Sequence, residues 1–487
     1  QTTKLQITKL QTFMHDVVTI LLIIFYVYII LSTISVLLME NRNPVKSISW
    51  LLVLVLIPFL GLIIYLVLGQ DYRKRKMISR KSIQRIAMRP CAATNIKDLD
   101  TSNINIDYQK LIYMLKNNSE ADAYAHNKID VYAEGENIFE SIFEAISNAK
   151  NHIHIEFFIF EDDKISNKLR ELLIRKSKEG VRVRMIYDYI GSYKLSKNYL
   201  RSLRTAGVYA KPFLPLRLRL RRSKINYRNH RKLIVVDGII GFTGGINIAD
   251  RYLYGSELGK WRDTLVRIEG AGVHGIQKLF LIDWYFVERK LITDEKYFPK
   301  PAMFNNNILQ VVSSGPDTDW ESIMQGICTA IMAADRYVYI HTPYFMPNEL
   351  VSGCIQMAAL SKTEIRLMIP EKSDARLSDL STSSFLGDML EAGVRVFKYQ
   401  NGMLHSKAIV IDDIVSIVGS TNIDDRSFKQ NFEVNAFIFD EKTALQLKKL
   451  FVDDMENCRE LTLDEWNNRR RRQKLKESLA RLFSPLM

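Results

Sequence analysis

The sequence predicts an α/β protein of two similar lobes, each a mixed sheet sandwiched by helices, preceded by an N-terminal two-helix transmembrane hairpin. Three observations predict this fold. Long apolar runs open the chain, short β-type runs alternate with helical runs from about residue 130, and the second half repeats the order of the first. Alternation of strands and helices favours a parallel or mixed sheet that helices cover on both faces. A length of 487 residues suits two or three units rather than one.

The two opening runs carry no charged residue from Val17 to Met39 or from Ser47 to Gln70. Each is longer than the ~20 residues that cross a bilayer core as a helix. A cleaved signal peptide is a poor alternative, because its apolar region spans only ~7–15 residues. A pair of buried soluble helices is the second alternative and carries the lower weight. We therefore expect a hairpin over residues 17–70.

Positive charge is concentrated directly after the second run. Seven cations fall within residues 73–85, namely Arg73, Lys74, Arg75, Lys76, Arg80, Lys81 and Arg85. The cations of the connection 40–46 are Arg42 and Lys46. Because cationic flanks stay cytoplasmic, the pattern predicts a multi-pass membrane protein whose termini and lobes face the cytoplasm. The net charge of +14 indicates an anionic partner, and beside a membrane hairpin anionic lipid is favoured over nucleic acid.

Composition and pattern divide the chain into six parts. They are an N-terminal cytoplasmic segment (1–16), the hairpin (17–70), a basic juxtamembrane linker (71–129), the two lobes (130–300 and 301–465) and a basic amphipathic tail (466–487). Predicted strands of the first lobe are 153–160, 181–188 and 233–237, and those of the second are 337–345, 364–370 and 408–412. A helix is predicted over 165–180, and 300–314 is predicted to cross between the lobes.

The repeat is sharpest in a motif that occurs twice: H-x-K, four residues, D, six residues, G-[GS]-x-N. The first copy comprises His230, Lys232, Asp237, Gly244, Gly245 and Asn247, and the second His405, Lys407, Asp412, Gly419, Ser420 and Asn422. A single His beside a Lys is usually a surface pair or a core histidine. Two copies with one spacing are not, because several independent local signals then agree.

The spacing suits attack on a phosphodiester. Histidine and lysine two residues apart on a strand project from the same face, so each copy presents an imidazole with an ammonium. The lysines balance phosphate charge, one imidazole attacks phosphorus, and the other protonates the leaving alkoxide. Asn247 and Asn422 offer amide donors to phosphoryl oxygens, which makes them, with Lys232 and Lys407, the candidate phosphate ligands.

The doubled motif resembles the phospholipase D superfamily. Its flanks RNHRKLIVVDG, SSGPDTDW, HTPYFMPNE and STNIDDRSFKQNFEVN are similar to bacterial cardiolipin synthases of the two-motif type, and with the hairpin the resemblance spans nearly the whole chain. The resemblance implies two phospholipase-D-type lobes and a phosphatidyltransferase of the bacterial cell membrane. It implies ping-pong transfer from one phosphatidylglycerol to another, through a phosphatidyl-histidine, without metal or other cofactor. By the same resemblance His230 is expected to be the nucleophile and His405 the general acid, then base.

In that superfamily a carboxylate after each motif orients the histidine. By resemblance Glu433 is expected to orient His405, and Asp263 to orient His230 across an implied insertion of five residues. The remaining motif residues, Asp237 and Asp412, follow a four-residue strand. We expect them to make structural hydrogen bonds at the strand end rather than to transfer protons.

Two basic elements suggest lipid contact. In the run 215–224 leucines alternate with Arg217, Arg219 and Arg221, which predicts either a lipid-binding strand at the mouth of the site or an ordinary edge strand. The tail repeats leucine at helical spacing among arginines and lysines. It predicts an amphipathic helix that lies on the membrane or docks on a lobe.

Three rival functions stay open from the sequence. The site could deliver the phosphatidyl group to water, as a phospholipase D does; the chain could be a superfamily nuclease; or it could be a non-catalytic membrane scaffold. Four scattered cysteines indicate neither a metal site nor a redox pair. The oligomeric state, a homo-oligomer included, is open. For the headgroup-binding residues the sequence offers His341 and Glu156, with a structural role at least as well supported for each.

Overall fold

The computed structural model describes residues 2–39, 44–57, 60–65, 92–102, 104–215 and 226–484. The chain divides into two compact units. One comprises residues 1–71 with 217–226, and the other comprises 72–216 with 227–487.

The N-terminal unit is helical in its described residues. Its helices are α1 (Thr2–Met39), α2 (Pro44–Leu56) and α3 (Leu60–Ile64). Within α1 the stretch Gln11–Ser32 is long and apolar enough to cross a membrane, with a mean hydropathy of 2.3. Within the second predicted span the structure describes the helices α2 and α3. The described residues therefore contain one helix of spanning length rather than a clear hairpin, and the basic cluster at 73–85 lies outside them.

The second unit contains 19 strands, numbered in chain order. The strands of the first half are β1 (Ala123–Tyr132), β2 (His152–Phe157), β3 (Arg182–Asp188), β4 (Tyr209–Phe213), β5 (Leu233–Val236), β6 (Ile240–Gly244), β7 (Trp261–Arg262) and β8 (Leu265–Gly270). Those of the second half are β9 (Asn305–Ser314), β10 (Tyr337–His341), β11 (Phe345–Met346), β12 (Glu364–Pro370), β13 (Arg395–Tyr399), β14 (Met403–Leu404), β15 (Ala408–Ile411), β16 (Val415–Gly419), β17 (Ile423–Asp424), β18 (Glu433–Phe439) and β19 (Cys458–Leu461).

Helices connect these strands in the same order in both halves. The first half has α4 (Ile106–Ser119), α5 (Gly135–Ser147), α6 (Lys164–Lys178), α7 (Lys197–Thr205), α8 (Arg251–Tyr254) and α9 (Val273–Glu288). The second has α10 (Ser322–Met332), α11 (Glu349–Leu360), α12 (Arg376–Glu391), α13 (Asp425–Lys429), α14 (Glu441–Met455), α15 (Leu463–Asn467) and α16 (Arg471–Arg481).

Fifteen strands form one continuous mixed sheet, in the order β19-β13-β12-β10-β15-β16-β18-β9-β1-β8-β6-β5-β2-β3-β4. Strands β2, β5, β15, β16 and β18 are buried along their whole length, because helices cover both faces and no side of these strands meets water. One hydrophobic cluster contains residues of both lobes, including Val266 and Ala436. The lobes therefore share part of their core.

The segment predicted to cross between the lobes is a sheet strand. β9 pairs antiparallel with β1 on one side and with β18 on the other. Its last residue, Ser314, lies opposite Glu433, the first residue of β18. Hydrogen-bonded backbone thus joins the two lobes. It also fixes the position of Glu433 at the start of β18.

A second exchange between lobes positions both histidines. β7 of the first half pairs in parallel with β14 of the second. The His405 N–H donates to the carbonyl of Arg262 at 2.7 Å, and the His230 N–H donates to the carbonyl of Phe432 at 2.9 Å. Each histidine therefore sits on a segment that is hydrogen-bonded to the opposite lobe.

The tail docks on the second lobe. The Arg481 guanidinium of α16 donates to the carbonyl of Ser384 in α12 at 3.2 Å. The opposite face of the helix leaves four apolar side chains at least half exposed, namely Leu475, Leu479, Leu482 and Phe483. Of the two predicted placements the structure shows docking. Because the leucine face of the helix is exposed, contact with the membrane stays a prediction.

Candidate active site

The motif aspartates close the two hairpins that carry the histidine strands. Asp237 and Asp412 both have φ of 54°, in the left-handed region that Asp tolerates better than most residues. The Asp237 carboxylate accepts three backbone N–H groups, from Lys150, Asn151 and His152, at 2.7–2.8 Å. Asp412 accepts the corresponding three, from residues 335–337, at 2.8–2.9 Å. These contacts are the structural hydrogen bonds expected at the strand end.

Replacing Asp237 with asparagine should affect stability more than chemistry. The amide puts an NH₂ group against backbone N–H donors, so at least one buried hydrogen bond is lost, at a cost of about 1–3 kcal/mol. We expect Asp237→Asn to melt several degrees lower by thermal unfolding and to keep most of its specific activity. Asp388→Asn, at an exposed site on α12, is the matched control. A variant that folds with wild-type stability and has no activity would contradict the structural role.

The histidines and lysines of both motifs are buried together. His230 is 8% and His405 is 7% exposed, while Lys232 and Lys407 are almost fully buried. Each lysine turns back toward its own histidine: the Lys232 ammonium donates to the His230 carbonyl at 2.6 Å, and that of Lys407 lies 2.9 Å from His405 Nδ1. The four side chains also feel one another's charge across the lobe boundary. They form a single site, as the paired motif predicts.

Each histidine is paired with a carboxylate of the other lobe, which corrects the predicted pairing. His230 Nδ1 lies 3.0 Å from Glu433, and His405 Nδ1 lies 2.6 Å from Asp263. Asp263 and Glu433 are the expected carboxylates, but their partners are exchanged. The reason is the backbone exchange described above, because residues 261–262 run beside 403–404, and Asn229 forms a bridge with Phe432. A Nδ1–carboxylate contact directs Nε2 of each ring away from its carboxylate, and Nε2 of His405 lies 3.1 Å from the Lys407 ammonium.

The variable [GS] position of the motif differs with the carboxylate beside it. A Cβ atom on Gly245 would lie 2.2 Å from the Asp263 carboxylate, so only glycine fits there. The equivalent Ser420 instead donates its hydroxyl proton to Glu433. Gly245 therefore makes room for its carboxylate, whereas Ser420 hydrogen-bonds to its own.

An arginine supports each carboxylate from behind. Arg231 donates to the carbonyl of Glu433 at 3.2 Å and pairs with buried Asp283 of α9. Arg262 donates to the carbonyl of Asp263 at 2.6 Å and pairs with Asp454 of α14 at 2.9 Å. The backbone of each carboxylate residue is thus held by an arginine that is itself paired with an aspartate. The sequence repeat does not reveal this arrangement.

Burial is the largest influence on the pKa values of the histidines and lysines in the site. It lowers the pKa of His230 to about 4, against the opposing effect of Glu433, and lowers that of His405 well below its usual range, with Lys407 adding to the effect. It also lowers the pKa of Lys232 strongly and that of Lys407 to about 8. A phosphodiester anion bound in the site would raise these pKa values again, because a nearby opposite charge favours the protonated forms of histidine and lysine.

The lysine pKa predicts how lipid binding depends on pH. Lys407 loses its charge as the pH rises through about 8, so above that value binding an anionic phosphodiester must take up a proton. We expect the dissociation constant for short-chain phosphatidylglycerol to rise by up to about tenfold per pH unit above 8. Titration calorimetry with the His230→Ala protein avoids turnover, and Lys407→Arg in that background should flatten the rise. An affinity that stays constant to pH 10 in the His230→Ala protein would contradict the shifted pKa.

The two motif asparagines are used differently. Asn247 accepts the Ile159 N–H at 3.1 Å and donates to the Tyr252 hydroxyl at 2.7 Å, so its amide is directed at the protein rather than at a phosphate. Asn422 is 7% exposed, and its side-chain oxygen has no hydrogen-bond partner among the described residues. A phosphoryl oxygen needs an N–H donor, and the NH₂ group of Asn247 already donates to Tyr252, so the predicted role of phosphate ligand is weaker for Asn247 than for Asn422.

The other predicted residues either fall outside the described residues or contact side chains other than the two motif histidines. Arg217, Arg219 and Arg221 fall within residues 216–225, which lie outside the described residues. His341 pairs with Asp454 at 3.4 Å, and Glu156 accepts a hydrogen bond from the Asn229 amide, so both have structural partners. Sequence reasoning missed Tyr252, five residues after Asn247, although its aromatic ring centroid is 5.5 Å from that of His405.

Comparison with known proteins agrees with this geometry. The family described as "Cardiolipin synthase, PLD-like domain" matches residues 142–284 and 327–455, and the one described as "Phospholipase_D-nuclease N-terminal" matches 20–70. The major cardiolipin synthase of Bacillus subtilis is 39% identical over 96% of this chain and 99% of its own length. Cardiolipin synthase 1 of Staphylococcus epidermidis is 38% identical over 98% of this chain and 99% of its own length.

Solved structures show the same fold at much lower identity. The phosphatidylserine synthase of Haemophilus influenzae superposes with a TM-score of 0.58 and 14% identity, over 78% of this chain and all of its own. Full-length identity near 40%, with both motif-bearing segments matched, establishes the kinship that the paired motif indicates. The chain belongs to the cardiolipin synthase family of the phospholipase D superfamily.

Proposed function

We propose that this chain transfers a phosphatidyl group from one phosphatidylglycerol to a second, giving cardiolipin and glycerol. The observation that carries the proposal is the buried pair of histidines, each with Nδ1 on a carboxylate of the other lobe and a lysine beside it. Curated relatives named as cardiolipin synthases span nearly the whole chain. Two histidines with reactive Nε2 atoms fit a reaction that forms and then breaks a bond to phosphorus.

In the first half-reaction, Nε2 of His230 attacks the phosphorus of the donor lipid. The bond from phosphorus to the glycerol oxygen breaks, and His405 gives its proton to that oxygen, so that free glycerol leaves. Lys232 and Lys407 balance the charge that builds on the phosphoryl oxygens. Burial and Lys407 hold the pKa of His405 low. Binding of the anionic lipid raises this pKa, so His405 becomes protonated and can act as the general acid.

In the second half-reaction, the primary hydroxyl of another phosphatidylglycerol attacks the same phosphorus. His405, now neutral, takes the hydroxyl proton as the oxygen–phosphorus bond forms and the bond to His230 breaks. Cardiolipin leaves, and His405 is protonated for the next cycle. One residue acts as acid and then as base because the two half-reactions are the reverse of each other in form.

Charge distinguishes the two histidines. Burial raises the pKa of Glu433, but His230 and Lys232 outweigh it and the net pKa is lowered, so Glu433 is an anion beside His230. Burial raises the pKa of Asp263 to about 6, so the partner of His405 is less firmly ionised. A phosphatidylated imidazole is a cation, and it is better stabilised beside Glu433. This supports His230 as the nucleophile.

The N-terminal unit is proposed to hold the enzyme at its substrate. Helix α1 supplies one apolar span, and residues 47–70 supply the second span of a hairpin whose cationic flank places the lobes in the cytoplasm. Both substrates are membrane lipids, so an anchor keeps the site at their concentration. Cysteine labelling of residues 41 and 100 in intact cells tests the orientation: labelling at 41 alone supports it.

Purified full-length protein in phosphatidylglycerol mixed micelles tests the reaction, with mass spectrometry of the lipids and an assay for glycerol. Cardiolipin with an equal amount of glycerol is the expected result. Phosphatidic acid as the main product would make the chain a phospholipase D. Intact lipid under conditions in which the protein is folded would overturn the proposal.

A further inference from the structure

The two halves of the site have different surroundings, although their motifs match. Tyr252 follows Asn247 by five residues, and the residue five after Asn422 is Ser427. Tyr344 follows His341 by three residues, and the residue three after the matching Glu156 is Ile159. The match is structural, since His341 and Glu156 each pair with the residue three after the motif histidine. At these two matched positions a tyrosine stands on the His405 side, and a serine or an isoleucine on the His230 side.

Tyr252 presents a hydroxyl beside His405. Its oxygen lies 3.5 Å from His405 Nδ1 and accepts a hydrogen bond from the Asn247 amide at 2.7 Å. Nδ1 is already paired with Asp263 at 2.6 Å and is poorly placed to accept another proton. The hydroxyl proton of Tyr252 is therefore available to a ligand oxygen. Burial raises the pKa of this tyrosine, which keeps that proton in place at neutral pH.

Tyr344 and Asp374 complete the group. Tyr344 lies on the loop between β10 and β11, is half buried, and packs against the cores of both lobes. Its hydroxyl donates to the carboxylate of Asp374, which lies on the exposed loop between β12 and α12. Tyr344 also packs against the hydrophobic cluster that contains Tyr252, which places the three groups together.

The His230 side is apolar by comparison. The ring of Phe158 stands edge-on to His230 with centroids 5.0 Å apart, and the Lys232 ammonium lies 5.6 Å from that ring. The carboxylate of Asp374 with the hydroxyl of Tyr252, in contrast, matches a molecule that offers adjacent hydroxyls, since one can donate to the carboxylate and another can accept from Tyr252.

We infer that Tyr252, Tyr344 and Asp374 form a subsite for the polyol headgroup of a glycerophospholipid. This inference rests on the proposed transfer reaction. His405 serves the departing glycerol and then the entering headgroup, so one subsite beside it holds both in turn. The attacking primary hydroxyl faces phosphorus while the neighbouring secondary hydroxyl binds Asp374. Water has no second hydroxyl and gains nothing from these contacts, so the subsite favours transfer over hydrolysis.

Competition between two small acceptors tests the subsite. Full-length protein is given phosphatidylglycerol micelles with equal concentrations of deuterated glycerol and 1-propanol, and mass spectrometry measures deuterated phosphatidylglycerol against phosphatidylpropanol. The wild type is expected to prefer glycerol. Asp374→Asn and Tyr344→Phe should each lower the glycerol-to-propanol ratio about tenfold, the usual size for losing a hydrogen bond to a charged group. Asp388→Asn and Tyr113→Phe, both at exposed positions, are the matched controls.

The outcomes separate the two proposals. A wild-type ratio near one, or ratios unchanged in both variants, overturns the subsite even if cardiolipin is formed. A glycerol preference that the variants lose, without any cardiolipin from the wild type, supports the subsite and overturns the proposed acceptor. The wild-type ratio decides the matter alone if neither variant folds.

Discussion

Alanine at His230 or at His405 is expected to lower the rate of cardiolipin formation by at least about 10⁴-fold, the scale seen when a member of a catalytic triad is lost. Without His230 no bond to phosphorus forms, and without His405 the glycerol alkoxide leaves unprotonated. The two residues serve one reaction, so the double variant should be no slower than the slower single variant. Lipid mass spectrometry measures all three.

An exposed histidine provides the control for this experiment. His15→Ala lies on α1 and contributes no side chain to the site, so its rate should match the wild type. Thermal unfolding of each variant separates loss of chemistry from loss of fold. A single variant within about tenfold of the wild type, or a double variant whose loss is the product of the two, would mean that the histidines do not act as a unit.

Glutamine at Glu433 and asparagine at Asp263 are expected to cost about 10³–10⁴-fold, because a neutral amide neither fixes the tautomer of its histidine nor stabilises its cation. The crossed pairing makes a sharper prediction. With a phosphatidyl ester of p-nitrophenol the leaving group needs no proton, so the first half-reaction depends on His230 and no longer on His405. Stopped-flow absorbance measures the nitrophenol burst.

The expected burst amplitudes differ between the two carboxylate variants. Asp263→Asn should keep the burst, as should His405→Ala, because the pair Asp263–His405 supplies only the proton in that step. Glu433→Gln should lose it together with His230→Ala. The opposite result, a burst in Glu433→Gln alone, would contradict the crossed pairing together with His230 as nucleophile.

Local signals in the sequence predict six strands of the lobes. The run Glu364–Pro370 is a strand with the predicted bounds, and 181–188 and 408–412 appear within a residue at each end. Most residues of these runs are buried, so short runs rich in apolar residues identify them. The spacing from lysine to aspartate likewise reflects a four-residue strand closed by a left-handed turn at Asp237 or Asp412.

Contacts between distant residues could not be predicted. Glu433 and His230 are 203 positions apart, and Asp263 and His405 are 142 apart, so order along the chain suggested pairing within a lobe. The exchange depends on β7 crossing to β14, two strands of two residues each, which are too short to leave a pattern. The segment 300–314 is predicted to cross between the lobes, and its polar start, Asn305–Asn307, gives no sign that β9 is a strand of the sheet.

The covalent intermediate is the most direct test of a two-histidine transfer. Asp263→Asn protein, which retains both histidines, is mixed with the nitrophenyl donor and quenched in detergent at alkaline pH, where a phosphorus–nitrogen bond survives. Peptide mass spectrometry then locates the phosphatidyl group. The account predicts an adduct on the peptide that contains His230. An adduct on the peptide that contains His405 would reverse the roles, and cardiolipin formation by the wild type with no adduct on either histidine would contradict the covalent mechanism.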